Sequence, residues 1–241
     1  MKSNLEPKII YEDKYFLILN KPSGLVVHPG NGVKEKYTLV DWIKKQNYYN
    51  KKLLDNYRFG IVHRLDKDTS GLMIIAKNRG VVNYFKNLFK NRQIIKKYKT
   101  LVFGNVFPKT DLIIASIGRK PSDKKKMTAG RGKYAKTKYW VIKKYKYGKY
   151  VLSYLKIRIY TGRTHQIRVH LKSKGWYILG DKIYSKQKLR LLSNKIGVTN
   201  LFLQSYYLEF KHPVNDKIIK IKIKTPNHNK NVLNSLSIAE N

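Results

Sequence analysis

The chain of 241 residues carries 52 Lys and Arg against 14 Asp and Glu, a formal net charge of +38, and 42% of it is hydrophobic, including 19 Tyr and 8 Phe. That apolar share excludes a disordered composition, the lack of Cys excludes a disulfide scaffold and thiolate metal sites, and no apolar run approaches the roughly 18 residues of a membrane span. A signal peptide is not recognisable either, so a reducing compartment, the cytoplasm, is expected. The charge makes a polyanion the first partner to consider and an anionic membrane surface the second. Coding bias toward Lys, Asn, Ile and Tyr is a competing source of part of that charge.

Ile9–Tyr11 and Phe16–Leu19 read as a strand pair, followed by a tight turn at Lys21-Pro22-Ser23-Gly24. Thr38, with Asp41 three residues on, starts a helix through Leu39, Val40, Trp42 and Ile43. Lys44 to Arg58 reads as a polar loop and Leu72–Ala76 as a buried strand. Asn78 caps a second helix whose Val81, Val82, Phe85, Leu88 and Phe89 keep helical spacing. Lys97–Gly104 is a further strand, and Pro121–Lys133 a basic, glycine-containing loop. Val151–Tyr160 alternates with period two, after which Thr164 is expected to cap a helix ending near Gly175. Tyr206–Phe210 and the Ile219, Ile221, Ile223 alternation complete the strands. Strands dominate and helices interrupt them, which predicts an α+β class with a large mixed or antiparallel sheet.

Two segments concentrate charge and small residues beside apolar strands: Gly60 to Gly71, and Thr161 to His170. Loops at strand ends are where sites tend to lie. From chemistry alone Asp66 suits a nucleophile or base, and an Arg168 sharing a helix face with His165 suits an anion partner. A lone Asp in a charged loop is more commonly a turn or surface ion pair, however. A metal-dependent nuclease on Asp66, Asp68 and Asp181 is imaginable, though their spacing does not favour it.

The string His63-Arg64-Leu65-Asp66-Lys67-Asp68-Thr69-Ser70-Gly71-Leu72 resembles the signature of the RluA-type pseudouridine synthases, and Gly162-Arg163-Thr164-His165-Gln166-Ile167-Arg168-Val169-His170 resembles their second signature. Further matches follow in order: Asn20-Lys21-Pro22-Ser23-Gly24 with Val27-His28-Pro29-Gly30, Lys97 to Val102, Ile178-Leu179-Gly180-Asp181, and Lys211-His212-Pro213. Gly60-Ile61-Val62, Lys126-Met127 and Gly132 to Thr137 are similar to the RluD-like branch, which acts on large-subunit ribosomal RNA. Trp176-Tyr177 and Gln204-Ser205 depart from the pattern, and the S4 RNA-binding domain usual in that branch is not recognised.

The resemblance implies a pseudouridine synthase fold, one catalytic domain over residues 1–241 with a core from about 9 to 225 and a short polar C-terminal tail. It implies isomerisation of uridine to pseudouridine without cofactor or metal. Asp66 would be the essential carboxylate, Arg168 its guanidinium partner, and Tyr98 the residue against the target base. Arg64 would fill the space of a flipped base or touch a phosphate. Lys124, Lys125, Lys126, Arg131 and Lys133 are the expected RNA-binding cations. The expected partner is ribosomal RNA or a ribosomal subunit precursor, bound by a monomer with no membrane attachment. A tRNA substrate and a non-catalytic ribosome-assembly protein are the alternatives.

Overall fold

The computed structural model describes residues 5–29, 37–47 and 55–239, and for residues 55–57, 124 and 125 the backbone alone. The chain divides into two compact units, the first formed by residues 1–94 and 207–223 and the second by 95–206 and 224–241.

In the first unit, β1 (Lys8–Glu12) pairs antiparallel with β2 (Phe16–Lys21), and β2 with β3 (Ser70–Ala76), in the register Phe16↔Ala76 to Lys21↔Gly71. Asp13 fastens the first turn: its carboxylate accepts from the Tyr15 and Phe16 amides at 2.7 and 2.9 Å. Phe16, Leu17, Ile18 and Leu19 are all buried, which marks β2 as covered on both faces, and hence its unbroken apolar run. Helix α1 (Leu39–Lys44) begins where Asp41 accepts from both the amide and the hydroxyl of Thr38. Helix α2 (Arg79–Lys90) is capped by Asn78, whose Oδ1 accepts from the Val81 amide at 3.0 Å. Its apolar stripe lies against the sheet, where Phe16, Phe85 and Phe210 meet edge-to-face with centroids 5.2 to 5.5 Å apart. The later strands of this unit are the 207–211 stretch of β11 (Leu203–Lys211) and β12 (Ile218–Lys222), which pairs with it antiparallel. The isoleucines of the Ile219, Ile221, Ile223 row pack on the core, while Lys220, Lys222 and Lys224 are exposed.

In the second unit, β4 (Ile95–Phe103) pairs with β9 (Tyr150–Ile159), β9 with β8 (Lys136–Tyr147), and β8 with β5 (Thr110–Ile114), all antiparallel. A separate hairpin consists of β6 (Ile117–Lys120) and β7 (Asp123–Ala129). Helix α3 (Gln166–Ser173) lies on the face of β8 that carries Thr137. The short β10 (Tyr177–Ile178) pairs with β4, and α4 (Gln187–Lys195) follows it.

The expected α+β class with a large, mainly antiparallel sheet is what the strands and the five helices among the described residues form. Three local expectations are corrected. Part of the predicted loop between Lys44 and Arg58 is a 3-10 helix, Asp55–Gly60, while residues 48–54 lie outside those described. The predicted loop 121–133 holds β7 and is mostly hairpin, because three consecutive lysines hide the strand period. The helix cap is not Thr164 but His165, in the left-handed region at φ 55°. After residue 225 the polar stretch folds, as α5 (Asn227–Ser235), with Val232 buried, and β13 (Ser237–Ile238), which pairs with β8.

Candidate active site

The first signature occupies the connection into β3, and its backbone is fastened residue by residue. The Lys67 carbonyl accepts from Lys21 Nζ at 2.8 Å and from the Gly24 amide at 2.9 Å, and the Asp68 carbonyl from Ser23 Oγ at 2.7 Å. The Asp66 carbonyl accepts from the Thr69 amide at 3.1 Å. His63 closes the loop from the other end, its Nε2 accepting from the Ile74 amide at 2.9 Å while its ring packs on Phe89. Leu65 and Thr69 are buried, Asp66 is partly exposed and Arg64 is exposed. A loop held at several backbone points thus leaves Arg64 exposed and Asp66 partly so. His63 thus ties the start of the loop to β3.

Lys21 is the organising residue here, and periodicity did not mark it. It is fully buried, and its Nζ also donates to the Pro22 and Leu25 carbonyls at 2.8 and 2.9 Å. Three carbonyl acceptors require three N–H donors, which only the ammonium provides. Burial pulls its pKa down to about 7, against the opposing influence of Asp68 and then Asp66. His28, of the Val27-His28-Pro29-Gly30 match, is kept below the ordinary histidine value by burial and then by Arg64 and Arg58.

The second signature folds around Gln166. Its Oε1 accepts from Thr161 Oγ1 and the Arg163 amide at 2.7 and 3.0 Å, and its Nε2 donates to the Lys136 carbonyl and Thr137 Oγ1. A buried amide with all these partners locks the entry to α3. Two residues later Arg168, 3% exposed, meets Asp181, 1% exposed, in a bidentate pair: Nε to Oδ2 at 2.8 Å and Nη2 to Oδ1 at 2.7 Å. Asp181 Oδ1 also accepts from the Ile183 and Tyr184 amides. Burial alone would raise the Asp181 carboxyl. The Arg168 bonds and charge, with the two amides, outweigh that and hold it below the usual carboxylate range. Gly180 permits the turn that presents Asp181, since at φ 73° a Cβ there would stand 2.0 Å from the Asn200 carbonyl oxygen. Asp181 is thus committed to Arg168, which removes it from the imagined nuclease set. Among the described residues, no group of three or more His, Asp or Glu is placed to hold a metal ion.

Tyr98 lies on β4 opposite Ile157, 6% exposed. On the same strand face, Lys96 is pulled by desolvation down to about 8, and its Nζ lies 3.8 Å from where a Gly162 Cβ would stand. Tyr184 ties the hairpin base to the second signature. Its ring lies 5.0 Å from the Arg168 guanidinium, and its hydroxyl bonds His165 Nδ1 at 2.7 Å and the Met127 amide at 2.9 Å. Of the expected RNA-binding cations, Arg131 and Lys133 are exposed at that base, and Lys126 is ion-paired with Asp123 at 3.0 Å. The side chains of Lys124 and Lys125 lie outside the described residues.

A family model described as RNA pseudouridylate synthase matches residues 15–173. The chain is 40% identical over 236 residues to a protein of Aquifex aeolicus (strain VF5) named uncharacterized RNA pseudouridine synthase, covering 95% of this chain and 72% of the other. It is 37% identical over 242 residues to ribosomal large subunit pseudouridine synthase D of Buchnera aphidicola subsp. Schizaphis graminum (strain Sg), covering 97% and 74%. The solved structure of human RNA pseudouridylate synthase domain containing 1 shares the fold, with a TM-score of 0.72 at 20% identity over 100% of this chain and 99% of that one. The chain belongs to the RNA pseudouridylate synthase family, and its enzyme class is that of an isomerase.

Proposed function

We propose that this protein converts uridine to pseudouridine in large-subunit ribosomal RNA, working as a monomer in the cytoplasm, with Asp66 as the essential carboxylate. In that reaction the N1–C1′ bond breaks, the base turns while held, and C5 bonds to C1′. The C5 proton leaves and N1 gains one, so atoms and electrons balance without an external reagent. Asp66 opens the sequence by attacking the sugar carbon or by removing a sugar proton. The signature match gives Arg168 the role of its guanidinium partner and Tyr98 that of the residue against the base. Arg64, exposed beside Asp66 on the same loop, contacts the RNA where the uridine has left its stack, a step that costs a few kcal/mol. Arg131, Lys133 and the lysines of the hairpin bind phosphates.

The observation that carries this reading is where the buried polar groups are spent. Lys21, Ser23 and Gly24 fix the loop of Asp66, and Asp181 and Gln166 fix Arg168 and its helix. Such fixing suits a reaction that depends on preorganised charge. The ribosomal target follows the name of the Buchnera relative, a ribosomal large subunit pseudouridine synthase. Mapping pseudouridines in total RNA with and without this protein tests it. Loss of sites confined to large-subunit ribosomal RNA is expected, and loss confined to tRNA would overturn the target.

A further inference from the structure

The two faces of the β8–β9 ladder differ in kind. Helix α3 occupies the face that carries Thr137, through Gln166 and His170, and Trp176 lies edge-on to Tyr139 on that same face. Tyr98 belongs to this side too, since it stands opposite Ile157 in the alternation.

The other face carries Lys136, Lys138 and Trp140 on β8. Across the ladder, Arg158 faces Lys138 and Lys156 faces Trp140, with Tyr160 beyond. β4 extends the row, with Lys97 opposite Arg158 and Lys99 opposite Lys156. All of these positions are partly exposed. The matching positions of β5 are Thr110, Leu112 and Ile114, so β5 sets no carboxylate beside the β8 cations, and Asp111 alternates to the far side.

Same-face neighbours in a sheet stand about 4.8 Å apart across strands and about 6.8 Å along them. Like charges directly opposite one another are destabilising, yet Lys138–Arg158, Arg158–Lys97 and Lys156–Lys99 are three such pairs. The rings hold the cations in place. Lys138 and Lys156 Nζ lie 5.1 and 4.6 Å from the Trp140 centroid, and Lys136 Nζ and Arg158 Cζ lie 5.0 and 4.7 Å from that of Tyr160. The charged heads thus lie over ring faces at partly exposed positions, within reach of a polyanion. Compositional drift scatters lysines over a surface. It does not account for mutually opposed cations laid on rings.

We propose that this sheet face is a second RNA-docking surface, which takes the phosphodiester backbone of the substrate RNA away from the target uridine. The inference rests on the reading that the protein acts on RNA. The aromatic rings suit it further, because rings interleaved with cations bind nucleic acid without regard to sequence.

The test is the triple variant Lys138→Gln, Lys156→Gln, Arg158→Gln, assayed for binding of large-subunit ribosomal RNA across a salt series. With three phosphate contacts gone, the slope of log affinity against log salt falls by about 2 to 3, and affinity near 0.15 M salt falls about tenfold or more. Pseudouridine formation at saturating RNA stays within about twofold, and the melting midpoint holds or rises as like-charge pairs are relieved. The arginine variant Lys138→Arg, Lys156→Arg binds as the parent does. Should the triple variant fail to fold, Lys138→Gln and Lys156→Gln taken singly each lower the slope by about 0.7 to 0.9. Unchanged affinity and slope would overturn the proposal, as would lost binding to anionic phospholipid vesicles with RNA affinity intact. A parent protein that binds ribosomal RNA through this face but forms no pseudouridine would sink the proposed function and leave the docking surface standing.

Discussion

Lys21 holds three carbonyl oxygens around one buried ammonium, and one of them belongs to the residue next to Asp66. Lys21→Met keeps the stem and strips the donors from carbonyls that are buried or partly so. Each such loss costs about 1 to 3 kcal/mol, so the urea midpoint falls clearly. Because Lys21 acts through the Asp66 loop as a positioning residue, kcat on ribosomal RNA falls more than KM rises. Asp181 gives a second prediction, with a definite sign. Its carboxyl titrates below the ordinary 3.8 in the folded protein, so under acid the unfolded chain binds the proton first. Its stabilisation is therefore complete above about pH 4 and lost as pH falls through the lower folded value. Urea midpoints between pH 2.5 and 5 should fall more steeply for the parent than for Asp181→Asn. Near neutrality that variant is less stable by about 3 to 5 kcal/mol, since a buried guanidinium has lost its charged partner.

At the scale of elements, what could be read in advance was whatever carries a local period or a cap. Asn78 and the stripe Val81, Val82, Phe85, Leu88 marked α2 and its N-cap. Asn78→Ala should cost about 1 kcal/mol, read as a lower denaturation midpoint. Thr38 with Asp41 and the period-two run of β9 were equally plain. Segments dense in lysine and tyrosine hid their strands. β8 has a buried row of Thr137 and Tyr139 and a cationic row between, so no apolar alternation announces it. Three lysines masked β7 in the same way. The hairpin supplies another prediction. Replacing exposed Arg131 and Lys133 with Gln should lower the salt slope of RNA binding by roughly 0.7 to 0.9 per contact removed. An unchanged slope would return those charges to compositional drift.

Over the whole molecule, the strand-dominated pattern pointed to the α+β class and the two signatures, in their order along the chain, to the family, and the fold and comparisons agree. Tertiary bonds between distant or unpatterned residues were not legible. Gln166 has no periodic signature, Asp181 lies thirteen residues from its arginine, and Lys21 reaches 46 residues to the Lys67 carbonyl. These are the contacts that make two loops rigid, and a rigid charged loop is what distinguishes a catalytic site from a basic surface. The +38 charge is proposed to bring RNA to the protein, and one carboxylate to do the chemistry. The most direct measurement is release of tritium from large-subunit ribosomal RNA labelled at uridine C5, by the parent and by Asp66→Ala, with RNA binding measured alongside. The account predicts release by the parent, none detectable from the variant, and nearly equal binding by both. Release by Asp66→Ala at the parent's rate would contradict it.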